Sequence, residues 1–447
     1  MAANPPEAEI ILPPAFELNQ KLERAAPEVF AMLSGLGRRL YFPARGILAQ
    51  SAEARQKGKV ANATIGIATE AAQPMHLPSV SRHLKEIEPV DAFDYAPPGG
   101  RPGLRGRWRE KLEAENPSLR GKAWSQPLVT AAITHGLALA GDLFVDPGDR
   151  ILLPDKVWDN YSLTYEVRLG GRIVGYPFYA GGGFNTQGFT RALEEQAAEA
   201  GKLVVLLNFP NNPTGYVPTP AEGKAIVAAL ERTARGGARL VVLLDDAYFG
   251  LFYHLGGASM TESLFGPLAN LHPNLLAVKL DGATKELFVW GLRCGFISFA
   301  PGRADTAAEV CEVLDAKVRG AIRSGISNVA MLSQSLVERA LGSSSIADER
   351  KAKHELLRAR AEKVFAVAGA PRFRESWSVY PFNSGYFMCV QVKGVPAERV
   401  RTHLLEKYGM GVIASSPTDL RVAFSCLELD QIEPLFEALH RAIQELI

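Results

Sequence analysis

The chain has 447 residues, 47% hydrophobic and 22% charged, with 49 basic side chains against 48 acidic ones for a net charge of +1. That length calls for about two or three domains with large apolar interiors. The even charge balance excludes a strong electrostatic pull toward nucleic acid or an anionic membrane.

In chain order, the first residues, MAANPPEAEIILPP, read as a loose arm without the basic and then apolar segments of a leader. No apolar run approaches the ~18 residues of a membrane helix. Leu18, Leu22, Ala26, Phe30 and Leu33 recur at helical spacing and predict a helix over Phe16 to Arg39. From about residue 125 short apolar runs appear: DRILLPD (149–155), GRIVGYPFY (171–179), GKLVVLLNFP (201–210), ARLVVLLDDAYF (238–249) and NLLAVKLDGATKE (274–286). They lack alternation, which marks strands buried on both faces, and helical patterns such as 220–236 lie between several of them. An α/β fold with a mainly parallel sheet covered by helices follows.

Past about residue 330 a long helical stretch (329–369) precedes three strand-like runs, NSGYFMCVQV (383–392), GMGVIAS (409–415) and DLRVAFS (419–425), and a closing helix from about Asp430. These predict a smaller α+β domain shared with the N-terminal segment. The expected division is 1–72 as arm and part of the small domain, 73–352 as the large domain and 353–447 as the C-terminal small domain. Four scattered cysteines, Cys294, Cys311, Cys389 and Cys426, form no CxxC pair. Neither a metal site nor a disulfide framework is expected, and a reduced, cytoplasmic chain is.

Ligands of open α/β sheets sit beyond the carboxyl ends of the strands. At those ends this sequence brings Asn212, then Asp245 and Tyr248, then Lys285. Singly, each has an ordinary reading: a turn asparagine, a capping aspartate, a core tyrosine, a solvated loop lysine. An amide, a carboxylate, a phenol and an amine converging on one sheet edge in this order are hard to explain as turn chemistry.

Three motifs give the set a family likeness. NFPNNPTG (208–215), DDAY (245–248) and Lys285 followed by Arg293 and Gly295 resemble the signatures of the class I/II aminotransferases, fold-type I enzymes that use pyridoxal 5'-phosphate (PLP). The likeness covers about residues 60 to 445. It implies a large domain with a mainly parallel sheet between helices plus a smaller α+β domain. Lys285 would attach covalently to the cofactor aldehyde and then shuttle a proton between Cα and C4', which needs an amine of lowered pKa. Asp245 would pair with the pyridinium nitrogen, with its neighbour Asp246 expected to be a solvated or capping residue. Asn212 and Tyr248 would donate to the ring hydroxyl oxygen, Arg293 would bind the phosphate, and Trp158 of DKVWDNY would stack on the ring. Ala132, Ile133 and Thr134 fall at the family's phosphate loop, at a helix N-terminus. Only Thr134 keeps a hydroxyl there, and Gly282 stands where many members have serine, so fewer phosphate-binding hydroxyls than usual are expected.

On the substrate side, Arg421 of DLRVAFS resembles the arginine that binds the α-carboxylate, a planar fork matched to that group. Ile65 and Gly66 of NATIGIAT resemble the segment that closes over the substrate. Tyr95 of FDYAPPGGRPGL resembles a tyrosine that reaches the phosphate of the neighbouring subunit, which implies a homodimer. The same glycine-rich stretch is neither G-x-G-x-x-G after a strand nor a Walker A sequence. Arg323, four residues before Ser327, resembles an arginine of aspartate-type members that binds a side-chain carboxylate in the neighbouring site, although Val329 and Ala330 replace the prolines that usually come next. The resemblance therefore implies a PLP-dependent aminotransferase that works by a ping-pong mechanism on amino acids and 2-oxo acids, dicarboxylic substrates favoured and aromatic ones possible. A PLP lyase or decarboxylase on the same scaffold shares these residues, and a non-catalytic regulatory module of this fold is the remaining alternative.

Overall fold

Seven short runs, apolar on both faces, pair into the central sheet of the computed structural model, which describes residues 11–43 and 46–447. They are β1 (Leu128–Thr130), β2 (Arg150–Pro154), β3 (Arg172–Tyr176), β4 (Lys202–Asn208), β5 (Arg239–Asp245), β6 (Leu275–Gly282) and β7 (Gly295–Ala300). Their spatial order is β1-β7-β6-β5-β4-β2-β3. All pairings are parallel except the two made by β7, which runs against both β6 and β1. Val204, Val205, Val242, Leu243, Ala277 and Val278 have no solvent exposure, because helices cover both faces of the sheet. One covering helix, Pro220–Arg235, starts in a capping box in which Thr219 and Glu222 satisfy each other's backbone N–H groups.

The antiparallel β7 decides which loops meet. Because it reverses direction, its beginning lies beside the end of β6, with Gly295 opposite Gly282, and beside the end of β1, with Gly295 opposite Thr130. The residues before β7, after β6 and after β1 therefore meet at the same sheet edge as the ends of β4 and β5.

A second layer carries β8 (Trp377–Val379), β9 (Phe387–Val392), β10 (Ile413–Ala414) and β11 (Asp419–Ala423), antiparallel in the order β8-β9-β11-β10. Residues Ala61–Asn62 pair with Met410–Gly411, and the Ala423 N–H donates to the Ala63 carbonyl at 2.9 Å. The N-terminal segment thus joins the C-terminal layer.

Three sequence expectations are corrected. The single helix over 16–39 is three, Pro13–Ala25, Pro27–Met32 and Gly35–Arg39, because Pro27 has no N–H to continue the first helix and the Ser34 hydroxyl caps the third. The long stretch 329–369 divides into Met331–Leu341 and Ile346–Ala368 at the Gly342–Ser345 break. The run 274–286 leaves the sheet at Gly282 and closes in a one-turn helix, Ala283–Glu286.

Candidate active site

At the shared sheet edge lies a cavity of about 340 Å³. Its wall includes ten of the residues singled out from sequence: Gly66, Ile133, Thr134, Trp158, Asn212, Asp245, Tyr248, Lys285, Arg293 and Arg421. Asp245 ends β5 between Asn208 of β4 and Leu280 of β6. Its Oδ2 accepts from the Tyr161 hydroxyl at 2.6 Å and its Oδ1 from the Ala247 N–H at 3.1 Å. Burial pushes its pKa up, while the Tyr161 bond and the nearby Lys285 ammonium oppose that rise.

Lys285 sits on the one-turn helix after β6, and the Tyr386 hydroxyl holds its carbonyl at 3.2 Å. Its Nζ lies 4.9 Å from the centre of the Tyr248 ring and makes no hydrogen bond or ion pair among the described residues. Burial lowers its pKa to about 8, with the Asp245 charge working against that and Arg293 adding to it. An amine so placed is a competent nucleophile near neutral pH, and it stands beside a carboxyl group whose burial-driven rise in pKa the Tyr161 hydrogen bond opposes.

One end of the cavity is built for an anion. The helix Ala132–Phe144 begins there without a side-chain cap, so its first-turn N–H groups are available. Arg293 faces the cavity and makes no ion pair among the described residues; its Nη1 donates to the Trp290 carbonyl at 3.1 Å. The Thr284 hydroxyl and the Trp290 Nε1, both from cavity-lining residues, are buried without partners. Thr284 thus adds to the cavity wall a hydroxyl that the sequence reading did not count. Gly282 has a steric reason, since a Cβ there would lie 2.9 Å from the Cys294 carbonyl oxygen and from the Gly295 Cα.

The cavity wall also carries Arg421, whose guanidinium is buried over the Phe387 ring at 4.2 Å. Nη1 donates to the Asn212 Oδ1 at 3.1 Å and Nη2 to the Thr64 carbonyl at 2.8 Å, while Nε has no partner. Because Arg421 takes the amide oxygen of Asn212, the amide nitrogen is the donor that remains for a ligand. The Asn212 N–H in turn is held by the Asn208 Oδ1 at 2.8 Å, and Asn208 donates to the Asp245 carbonyl at 2.8 Å.

Four residues named from sequence do not border this cavity. Ala132 is buried at the start of its helix in the left-handed region (φ 68°), where its side chain faces protein. Ile65 lies one residue outside the wall, its carbonyl accepting from the Cys426 thiol at 3.5 Å. Tyr95 is 81% exposed, and Arg323 is exposed at the end of the helix Ala307–Gly325, its Nη1 donating to the Ser327 hydroxyl at 2.6 Å. Asp246 is neither solvated nor a cap: it is buried, accepts from the Ser263 hydroxyl at 2.6 Å and pairs with the fully buried Lys279. Sequence reasoning missed Tyr161, Asn208, Thr284, Trp290 and Phe387, and also Ile47 and Leu48, which reach the cavity from the helix Ile47–Lys57. The segment NYS, a turn after the stacking candidate Trp158, was the available signal for Tyr161.

The unpartnered anion end, the ion-pair-free lysine and the buried acceptor Asp245 fit PLP: donors without acceptors stand where the phosphate belongs and a carboxylate where a ring nitrogen would need one. Comparison with known proteins agrees. The family model for aminotransferase class I and II matches residues 61–439. The aspartate aminotransferase of Geobacillus stearothermophilus is 24% identical over 358 residues, 78% of this chain and 84% of that protein. The histidinol-phosphate aminotransferase of Symbiobacterium thermophilum is 31% identical over 153 residues, 33% of this chain and 36% of that protein. Among solved structures, an aminotransferase from Anaerococcus prevotii superposes with a TM-score of 0.81 at 22% identity, covering 92% of this chain and 99% of that one. The kynurenine aminotransferase of Pyrococcus horikoshii, solved with PMP, gives a TM-score of 0.76 at 15% identity over 94% of this chain and 98% of that one.

Proposed function

The chain belongs to the class I and II aminotransferases, PLP-dependent enzymes that pass an amino group between amino acids and 2-oxo acids, and we propose how its residues divide that work and which side chains it accepts. Bound PLP supplies an aldehyde that takes the amino group and a ring that accepts the electrons left at Cα. Arg293, Thr134, Thr284 and the uncapped helix end hold the phosphate. Asp245, whose rise in pKa the Tyr161 hydrogen bond opposes, would hold the proton on the ring nitrogen, and Asn212 and Tyr248 would donate to the ring hydroxyl oxygen. Trp158, which lines the cavity, would stack on the ring. Arg421 would hold the substrate α-carboxylate, and the Lys285 amine would move the proton at Cα. The observation that carries this division is the Lys285 amine, lowered to about 8 and without a partner beside Asp245 in the cavity that Arg293 and Arg421 also border.

The substrate class rests on the outer wall. We take dicarboxylic amino acids as favoured, with Arg323 of a second copy reading the distal carboxylate and Tyr95 of that copy reaching the phosphate. What supports a homodimer is the surface at Tyr95: Val90, Phe93 and Tyr95 are 63%, 87% and 81% exposed, apolar side chains of the kind that a partner covers. Apolar side chains are the second class, since Ile47, Leu48 and Phe387 line the same cavity. The test is kcat/KM for glutamate, aspartate, phenylalanine and leucine in the wild type and in Arg323→Ala. A loss confined to the two acids is expected, of roughly 10²-fold for an unpaired buried carboxylate. Equal effects on all four would end the dicarboxylic reading, and amino transfer surviving in Lys285→Ala would end the assignment of the lysine.

A further inference from the structure

The substrate arginine needs something to hold it, and the structure offers a closed circuit of contacts that does so. Arg421 and Asp419 lie two residues apart on β11, and strand geometry puts their side chains on the same face. Arg421 reaches Asn212 at 3.1 Å. Asp419 reaches Lys156 in the loop after β2, its Oδ2 lying 2.6 Å from the ammonium. Asn211, adjacent to Asn212, donates its amide to the Lys156 carbonyl at 3.1 Å, which closes the ring.

The pair is built into the protein. The Asp419 side chain is 2% exposed and that of Lys156 is 18%. The other carboxylate oxygen of Asp419 accepts from the Tyr380 hydroxyl at 3.1 Å and from the Thr418 hydroxyl at 3.2 Å. The ammonium also stands 5.1 Å from the Tyr380 ring centre, and Tyr380 stacks on Tyr179. Among the described residues it is the ion pair that joins β11 to the layer of the seven-stranded sheet; the other links between the two layers are hydrogen bonds, among them Arg421 to Asn212, Tyr386 to the Lys285 carbonyl, Tyr179 to the Pro381 carbonyl, and those of the Asn383–Gly385 turn and the Cys389 thiol. Removing two charges from water is costly, and the best-attested use of such a pair is to fix one arrangement over others.

We propose that Lys156 and Asp419 are positioning residues for substrate binding: their ion pair locks β11 against the cavity so that the Arg421 guanidinium is held in place before the α-carboxylate arrives. This rests on the role given to Arg421 under the proposed function. An interaction that serves ground state and transition state alike shows itself in KM with kcat preserved. Lys156→Met is therefore expected to raise KM for the amino acid and for the 2-oxo acid about tenfold, with kcat within about threefold and a change in the PLP dissociation constant smaller than the change in KM, since Lys285, Asp245 and Arg293 stand on other elements. Lys156→Arg, which can still pair, should recover most of the affinity. Asp419→Asn should match Lys156→Met, and the double variant should cost little more than either alone, as partners in one interaction do.

A merely structural pair would lower the melting temperature and leave KM in place; that result, or strictly additive KM effects in the double variant, overturns the proposal. If Lys156→Met does not fold, the Asp419→Asn and Lys156→Arg pair decides, because affinity must then track the presence of the ion pair. Failure of the aminotransferase assignment of Arg421 would look different: Arg421→Ala would bind both substrates as well as the wild type does. Failure of the positioning role leaves Arg421→Ala impaired and the Lys156 and Asp419 variants normal.

Discussion

Removing one hydroxyl, in Tyr161→Phe, tests the electrostatic chain from Tyr161 through Asp245 to Lys285. The phenol donates to Asp245 Oδ2 at 2.6 Å, and both groups are buried. A hydrogen bond to a buried charged group contributes about 1.5–3 kcal/mol, equivalent to about one to two pKa units. Burial already raises Asp245, and Tyr161 is the first of the influences that bring it back down. Without the hydroxyl the pKa of the carboxyl group rises further, which favours its neutral form. Two consequences of opposite sign result. The ring-nitrogen partner weakens, so kcat falls by about ten- to a hundredfold, with the loss greatest at low pH and partly recovered as pH rises. The Lys285 amine loses the negative neighbour that holds its pKa up, so its midpoint falls below about 8. The first is read from kcat and KM across pH in PLP-saturated enzyme. The second needs no cofactor: the pH dependence of reductive methylation at Lys285 in the cofactor-free chain, tracked by mass spectrometry, gives the midpoint. A Lys285 midpoint that stays put or rises in Tyr161→Phe, beside unchanged kcat, would refute the coupling.

Lys285→Met should stabilise the cofactor-free chain, because a lysine at about 8 in the folded state and 10.5 in its ordinary state costs about 3 kcal/mol at pH 7. The unfolded chain binds the extra proton, so the penalty is full below pH 8 and disappears as pH rises toward 10.5; denaturant unfolding at pH 7 and pH 10 checks the sign. Asp246→Asn should lower stability by about 3–5 kcal/mol while PLP affinity holds, since it strips the main partner from the buried Lys279; thermal unfolding and cofactor titration separate the two. Gly295→Ala should weaken PLP binding about tenfold or more, because its Cβ would lie 2.6 Å from the Ala132 carbonyl carbon and 2.8 Å from the Ile133 nitrogen, displacing the phosphate-binding helix start. An unaltered dissociation constant would mean that this helix end is not what grips the anion.

The residues legible in the sequence are those that end buried strands. A strand covered on both faces reads as an unbroken apolar run, so its end is marked by the change of texture; Asp245 is the last residue of β5, and Asn212 and Lys285 follow the ends of β4 and β6 within four residues. The same logic fails at the N-terminus, where helical spacing continued across Pro27 and Ser34 and hid two breaks. It also fails for groups that hold other groups. Tyr386 fixes the Lys285 carbonyl from 101 residues away, and Asp419 meets Lys156 across 263. Asp419 sits at the start of a strand and Lys156 in a loop, both ordinary places for a charge, and neither local pattern records the other. A motif fixes the atom that touches the ligand because chemistry admits few substitutes there. The atom behind it answers only to the shape of the packed layers, and an ion pair between two sheets is specified by their docking, which exists only once both have folded. Asp246 makes the same point from the other side: beside Asp245 in DDAY it is chemically identical, yet alternation along the chain turns it away from the cavity and onto Lys279, so one carboxylate serves the cofactor site and its neighbour the core.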